Sequence, residues 1–475
     1  MNTGAADPAV DYAVGRVLRM QTKLHRWAAA DPGRRFEDVF NLVYDPSFLL
    51  VGWDRVRSNT GGRTAGVDGV RPRQLDDDQA GVMLAGIAEQ LRSRTYQPSP
   101  VRAAQIPKAN GKMRQLGIPS VADRVVQASL KLVLEPIFEA DFDPASYGFR
   151  PYRRAQDAIA EIHKLASRPA DYEWVFEADI KACFDNIGHG YLMGCLRQRI
   201  ADKRVLWLIR AFLKAGVMSE DQITRATRTG TPQGGILSPL LANIALSGLD
   251  RHFRDKWNQY GPEWTRAKRR RQGGPLMRMV RYADDFVVLV HGSRADAEAL
   301  FAEVAQVLAP AGLSLSEEKT RVVHIDEGFD FLGWRIQRRT KRGTNKKAVY
   351  TYPSKKAVQA IIDKIRVLTR RNSFPTLADL IGWLNPTIKG WCEYYKHGVS
   401  KAIFGYVDHY TFHRVLGWLL KQHPKLNKHT VVRRYMPGWR IADGRRELFR
   451  ASKVPVTRYR YRGTRIPTPW GIPTV

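Results

Sequence analysis

A multidomain α/β plus α protein with a small basic C-terminal region is the fold class that this sequence predicts. Three observations carry it. The chain has 475 residues, more than one hydrophobic core organises, so it should divide into several domains. Strand-like and helix-like stretches alternate over 171–336, the pattern of an α/β domain, and give way after 348 to mostly helical periodicity. Charge gathers at one end: 31 basic and 6 acidic residues lie in 331–475, against 46 and 40 in the rest of the chain.

Residues 12 to about 60 read as helical, with Val14, Val17, Leu18 and Leu24 at helical spacing. The Gly- and Asn-containing stretch "SNTGGRTAGVDGVRP" (58–72) breaks that pattern as a loop. "DRVVQASLKLVLEPIFEADF" (123–142) predicts an amphipathic helix with Asp123 as its N-cap. "EWVFEADI" (173–180) alternates and is rich in strand formers. A helix over 234–253 should begin just after Gly234 and Gly235. "LMRMVRYADDFVVLV" (276–290) predicts two strands joined at Ala283-Asp284. The helix over 294–313 is closed by Pro310 and Gly312. "FDFLGWRI" (329–336) reads as one more strand. Beyond about 424 the tail is basic and rich in Tyr, Arg and Pro.

Composition narrows the function classes. A hydrophobic fraction of 44% excludes a disordered chain. The formal net charge of +31 points to a polyanionic partner. Cys183, Cys195 and Cys392 have no paired spacing, which argues against a zinc finger and a disulfide framework and for a reducing compartment. The N-terminus has no apolar signal core, and no apolar run reaches membrane-spanning length. The expectation is a cytoplasmic protein, nucleoid-associated through nucleic acid, with no membrane contact.

The chemistry is concentrated in acids at strand ends. Asp284 and Asp285 are adjacent where two apolar strands meet, and two like charges that close raise each other's pKa. Asp179 ends another apolar run. A lone Asp-Asp is usually turn chemistry. Three carboxylates gathered at the tips of one sheet could instead hold two Mg²⁺, bridge a nucleotide triphosphate and activate a 3′-hydroxyl for in-line attack.

The surrounding blocks resemble a known family. "RYADDFVVLV" (281–290) resembles the Tyr-x-Asp-Asp signature of reverse transcriptases. "GTPQGGILSPLLANI" (230–244), "SYGFRPYRRAQDAI" (146–159) and "IPKANGKMRQLGIPSVADRVVQ" (106–127) resemble its upstream blocks. "LSEEKTRVVH" (315–324) and "FDFLGW" (329–334) resemble those downstream. In order and spacing they resemble the group II intron reverse transcriptase, or maturase, family from about residue 12 onward. Gln115 stands where the fingers block usually has Pro, and Ala283 is an ordinary variant of the signature's x.

The resemblance implies a right-hand polymerase with fingers, a palm built on a ferredoxin-like sheet, and a helical thumb. The expected segments are an N-terminal helical extension (1–65), fingers (66–170), palm (171–340), thumb or maturase domain X (350–425) and a basic DNA-binding region (426–475). It implies an RNA-directed DNA polymerase with Asp179, Asp284 and Asp285 as metal ligands. Lys112 and Arg114 would hold the incoming dNTP from the fingers. Phe184 would exclude a 2′-hydroxyl, and Tyr282 and Gln233 would contact nucleotide or template–primer. Lys319 would be the acid for departing pyrophosphate. Arg150, Arg433, Arg434, Arg458, Arg460 and Arg462 would contact nucleic acid, and Tyr and Arg alternating in "TRYRYRGTR" (457–465) would combine stacking with phosphate contacts. Trp383, Trp391, Tyr394 and Tyr395 are at helical spacing and read mainly as thumb core.

Expected partners are an intron RNA template, a DNA target or primer, and dNTPs; a homodimer is among the assemblies the sequence allows. With no Cys beyond Cys392, no HNH endonuclease of the kind many members carry is expected. The alternatives are a non-enzymatic RNA-binding splicing factor, or a domesticated relative acting in defence or repair. Retention of all three carboxylates favours the enzyme.

Overall fold

A computed structural model describes residues 8–107, 113–218, 224–225, 229–230, 234–370, 374–463 and 466–471. The chain forms two compact units: residues 1–154, 176–322 and 462–475 in one, and 155–175 with 323–461 in the other.

In the first unit, helix α1 (Pro8–Ala30) buries Ala13, Val17, Leu24 and Ala28 along one face. That face packs on α2 (Pro46–Ser58). A hairpin of β1 (Val101–Pro107) and β2 (Met113–Ile118) follows, antiparallel, with Ile106 opposite Arg114. Helix α3 (Val121–Glu139) is buried along almost its whole length, its polar Asp123, Arg124, Gln127, Ser129 and Glu139 included. Its N-cap is Ser120, whose Oγ accepts from the Asp123 amide at 3.1 Å. The expected cap, Asp123, sits one turn inside. It is buried and accepts from the Tyr96 hydroxyl at 2.7 Å and the Ser99 amide at 3.1 Å.

The four-stranded sheet that positions the site has the order β4-β5-β3-β6, from β3 (Trp174–Asp179), β4 (Leu276–Tyr282), β5 (Asp285–His291) and β6 (Arg321–His324). Strands β4 and β5 form the expected hairpin, in register from Leu276 opposite His291 to Tyr282 opposite Asp285. Phe286 to Val290 are all buried, so β5 is covered on both faces, which explains its unbroken apolar run. A long helix, α4 (Ser238–Gln259), packs on β4. It starts a few residues later than expected, with Pro239 in its first turn.

The second unit holds β7 (Phe329–Phe331), β8 (Trp334–Thr340) and β9 (Lys347–Pro353) as a sheet ordered β9-β8-β7. "FDFLGWRI" is therefore two strands and not one. Leu332 at φ +50° and Gly333 at +79° turn the chain between them, and Trp334 pairs with Phe331. Strand β9 was not expected either. It pairs with β8 over seven residues, and tertiary pairing overrides its weak local signal.

Helices α5 (Lys355–Leu368), α6 (Leu377–Tyr395), α7 (Lys401–Gln422) and α8 (Lys428–Tyr435) complete this unit. The Tyr394 and Tyr395 hydroxyls donate to the Leu332 and Gly333 carbonyls at 2.9 and 3.2 Å. These bonds tie the β7–β8 turn to α6, so 323–353 clusters with the helices rather than following the expected cut near 340. Trp383 is 63% exposed, not core.

Candidate active site

Strand β3 rises through buried Val175, Phe176 and Ala178 to half-buried Asp179. Just beyond it the chain is gripped from one side. The Ser316 amide donates to the Asp179 carbonyl at 2.8 Å, and the Lys181 amide to the Ser314 carbonyl at 2.9 Å. The Lys319 and Thr320 amides then close a turn on the Ser316 carbonyl. That turn brings the Lys319 Nζ to 2.6 Å from Asp179 Oδ2. Two residues 140 apart in sequence thus meet at the strand tip.

The neighbouring strand tip is the hairpin of β4 and β5. Ala283 turns it at φ +60°, a left-handed conformation that costs a non-glycine residue about 1–2 kcal/mol. Surrounding bonds hold it there. Arg281, fully buried, donates from Nη1 to the Ala283 carbonyl at 2.7 Å and to Asn243 Oδ1 at 3.0 Å. Its Nε donates to Asp250 Oδ1 at 2.7 Å. Asn243 and Asp250 both lie on α4, and Asn243 Nδ2 donates to the Gly148 carbonyl at 2.8 Å. Gly148 lies so close to the turn that a Cβ there would sit 2.3 Å from the Ala283 nitrogen.

The carboxylates feel one another. Asp285 is pushed up to about 6, first by desolvation and then by the charges of Asp284 and Asp179, with Lys319 opposing. Lys319 is raised, chiefly by its bond to Asp179. Burial pushes the Cys183 thiol up to about 12, with Asp284 adding to it, so this thiol is inert at neutral pH.

Three carboxylates at neighbouring strand ends are the hard oxygen donors that divalent cations take. Desolvation is the first cause of Asp285's reluctance to ionise, and the neighbouring Asp284 and Asp179 charges add to it. Among the described residues no group of three or more His, Cys, Asp or Glu side chains is placed to hold a metal ion, and the Lys319 ammonium is bonded to one of the candidate oxygens, Asp179 Oδ2.

The other expected residues divide. Phe184 lies half-buried in the short helix Cys183–Asn186, entered through Ala182 at φ +45°. Tyr282 is half-buried at the end of β4, its phenol raised by desolvation. Lys112 and Gln233 lie outside the described residues, as does the side chain of Arg114. Gly234 at φ +108° approaches β2 so closely that a Cβ would meet the Gly117 carbonyl at 2.8 Å.

Arg150 corrects the sequence reading. It is buried and donates to both Glu139 oxygens and to the carbonyls of Asp143 and Ser146. It is therefore a structural arginine, with nothing left for a phosphate. Arg433, Arg434, Arg458 and Arg460 are exposed. Arg462 is half-buried and donates to the Tyr152 carbonyl at 2.7 Å.

The tail tyrosines are used in packing rather than presented for stacking. The Tyr459 hydroxyl donates to Asp157 at 2.9 Å, and Lys164 Nζ lies 4.6 Å from the centre of the Tyr461 ring. Sequence reasoning missed Arg281, Asn243, Asp250 and Gly148. One signal was available: a charged residue inside each of two apolar elements, Arg281 in "LMRMVRY" and Asp250 in "LLANIALSGLDRHF".

Comparison with known proteins places the chain. Residues 106–336 match the family described as reverse transcriptase (RNA-dependent DNA polymerase). Residues 358–436 match the group II intron, maturase-specific domain. The group II intron-encoded protein LtrA of Lactococcus lactis is 31% identical over 432 residues, covering 76% of this chain and 70% of that one. The chain belongs to the group II intron-encoded reverse transcriptase family.

Protein YkfC of Escherichia coli K12 is 37% identical over 375 residues, covering 74% of this chain and 98% of that one. An uncharacterized 91 kDa protein in a cob intron of Schizosaccharomyces pombe is 32% identical over 357 residues, 64% of this chain and 43% of that one. The family reading makes the protein an RNA-directed DNA polymerase and splicing maturase on a reverse transcriptase fold, with RNA and DNA among its partners and a divalent metal in its chemistry. Asp179, Asp284, Asp285 and Lys319 all fall within the matched polymerase stretch. Among the described residues no helix is long and apolar enough to cross a membrane.

Proposed function

We propose that the protein extends DNA primers on RNA templates at the strand-tip carboxylates, and that it binds its own intron RNA for splicing and for insertion of the intron into DNA. The observation that carries the reading is that Asp179 ends β3 while the hairpin tip bearing Asp284 and Asp285 belongs to the adjacent strand β5, with Lys319 bonded to Asp179. Asp179, Asp284 and Asp285 would hold two Mg²⁺, which when bound would neutralise triphosphate charge and lower the pKa of the primer 3′-hydroxyl.

The chain's own groups do the rest. Arg281 and Asn243 hold the Ala283 turn, so that Asp284 and Asp285 are presented at a fixed place. Phe184, five residues past Asp179, packs beside the incoming sugar and leaves no room for a 2′-hydroxyl. Lys112 and Arg114 grip the triphosphate, Tyr282 and Gln233 line the template–primer, and Lys319 Nζ passes from Asp179 to the leaving pyrophosphate and carries its proton. The exposed Arg433, Arg434, Arg458 and Arg460 hold phosphates without reading sequence.

The test is primer extension by Asp284→Asn alongside RNA affinity. Extension should disappear while affinity stays, because the change removes a ligand charge and no phosphate contact. Undiminished extension would overturn the assignment.

A further inference from the structure

Away from the carboxylates, the second unit holds an open recess of about 360 Å³ between α7 and residues 439–450. That volume lies in the range of small-ligand sites. Trp439 is 70% exposed at its edge. Its backbone is left-handed at φ +61°, and so is Gly438 before it at +59°. Bulky residues rarely adopt that conformation, so the turn accepts strain to keep an indole in water. Phe412 lies 5.7 Å from the indole, and the His409 and His413 rings meet edge-on at 4.5 Å.

The polar lining is basic in effect. Arg440 and Arg450 are exposed there. Of the two carboxylates, Asp408 accepts from the Ala451 and Ser452 amides at 2.6 and 2.8 Å, and Glu447 stands 4.0 Å from Arg440. The combination of an open aromatic face, flanking guanidinium groups and imidazoles that both donate and accept suits one class of ligand.

We propose that this recess takes a single unpaired nucleotide of an RNA, its base laid on Trp439 and its phosphates held by Arg440 and Arg450. Every base has a π-face for the indole, and guanidinium groups pair with phosphate. His409 and His413 supply partners for a ribose 2′-hydroxyl. One wall, α7, falls inside the stretch matched to the maturase-specific domain. The assignment to RNA rests on the proposal above that the protein binds its own intron RNA.

The test uses the full chain and equilibrium binding at one fixed salt concentration. Three probes are compared: an RNA hairpin with an unpaired loop, a fully paired RNA duplex of equal length, and a DNA hairpin of the same sequence. Trp439→Ala should weaken the RNA hairpin about ten-fold, the scale of one stacked base, and leave the duplex nearly unchanged. Trp439→Phe should keep most of the affinity, since it restores an aromatic face. Arg440→Gln should flatten the salt dependence by about one phosphate contact.

Equal loss on hairpin and duplex, or no loss on either, overturns the site. Loss confined to DNA overturns its assignment to RNA. Primer extension on a pre-annealed template is measured alongside and should be unaffected by Trp439→Ala. A parent protein that failed to extend would count against the polymerase reading and leave the binding comparison intact.

Discussion

Arg281→Met tests whether the Ala283 hairpin turn, and with it the proposed site, is held from behind. Arg281 is fully buried, and Asp250, its bidentate partner, is 2% exposed. Methionine keeps most of the volume but strands the Asp250 carboxylate in the core. Breaking a buried pair in this way costs about 3–5 kcal/mol. Asn243 Oδ1 and the Ala283 carbonyl lose a donor as well, at roughly 1–3 kcal/mol for each buried group left unsatisfied. These terms belong to one network and do not add, so the expected loss is about 4 kcal/mol. The second change, Asp250→Leu, removes the stranded charge, and an apolar replacement of a buried pair is often neutral or stabilising. The double variant should therefore regain most of the stability. It should not regain activity, because nothing then holds the Ala283 carbonyl, and a displacement of about 1 Å costs on the order of 10²-fold in rate. Urea unfolding and single-nucleotide extension of a pre-annealed primer measure the two effects separately. A single variant within about 1 kcal/mol of the parent, or a double variant that extends at the parental rate, would refute the reasoning.

Gly148→Ala should cost extension strongly, since its Cβ would fall 2.3 Å from the Ala283 nitrogen; Gly190→Ala, with nothing within 4 Å, is the matched control for the same assay. Phe184→Val should admit ribonucleotides, read as the ratio of rNTP to dNTP incorporation; an unchanged ratio would make Phe184 a packing residue only. In the second unit Arg338, followed by Lys347, holds Asp326 down at about 2 from 3.8. A depressed carboxylate contributes stability that is fully present above the unfolded pKa and lost as pH falls through the folded one. Asp326→Asn should thus lower stability at neutral pH and shallow the acid unfolding between 3.8 and about 2, followed by near-ultraviolet circular dichroism.

Much of this protein was legible in one dimension because its signals are local. Phe286 to Val290 are a continuous apolar run that only a doubly covered strand explains. The Asp pair at a predicted strand junction, Asp179 at another strand's end, and the blocks around them were readable as residue types in order. The charge of the last third required only counting. Three-dimensional structure decided what depends on partners distant in sequence. Arg150 reads as a phosphate contact until Glu139 and two carbonyls are seen to consume its guanidinium. Tyr459 reads as a stacking residue until its hydroxyl is seen on Asp157, 302 residues away. Strand β9 needed β8 beside it, and the β7–β8 turn needed two tyrosines from α6. Burial and hydrogen-bond satisfaction are properties of the folded neighbourhood, not of the residue. The sequence therefore supplied the groups proposed for the chemistry, and the tertiary structure decided which charges, like Arg281 on Asp250 and the Ala283 carbonyl, are committed to holding the fold in place.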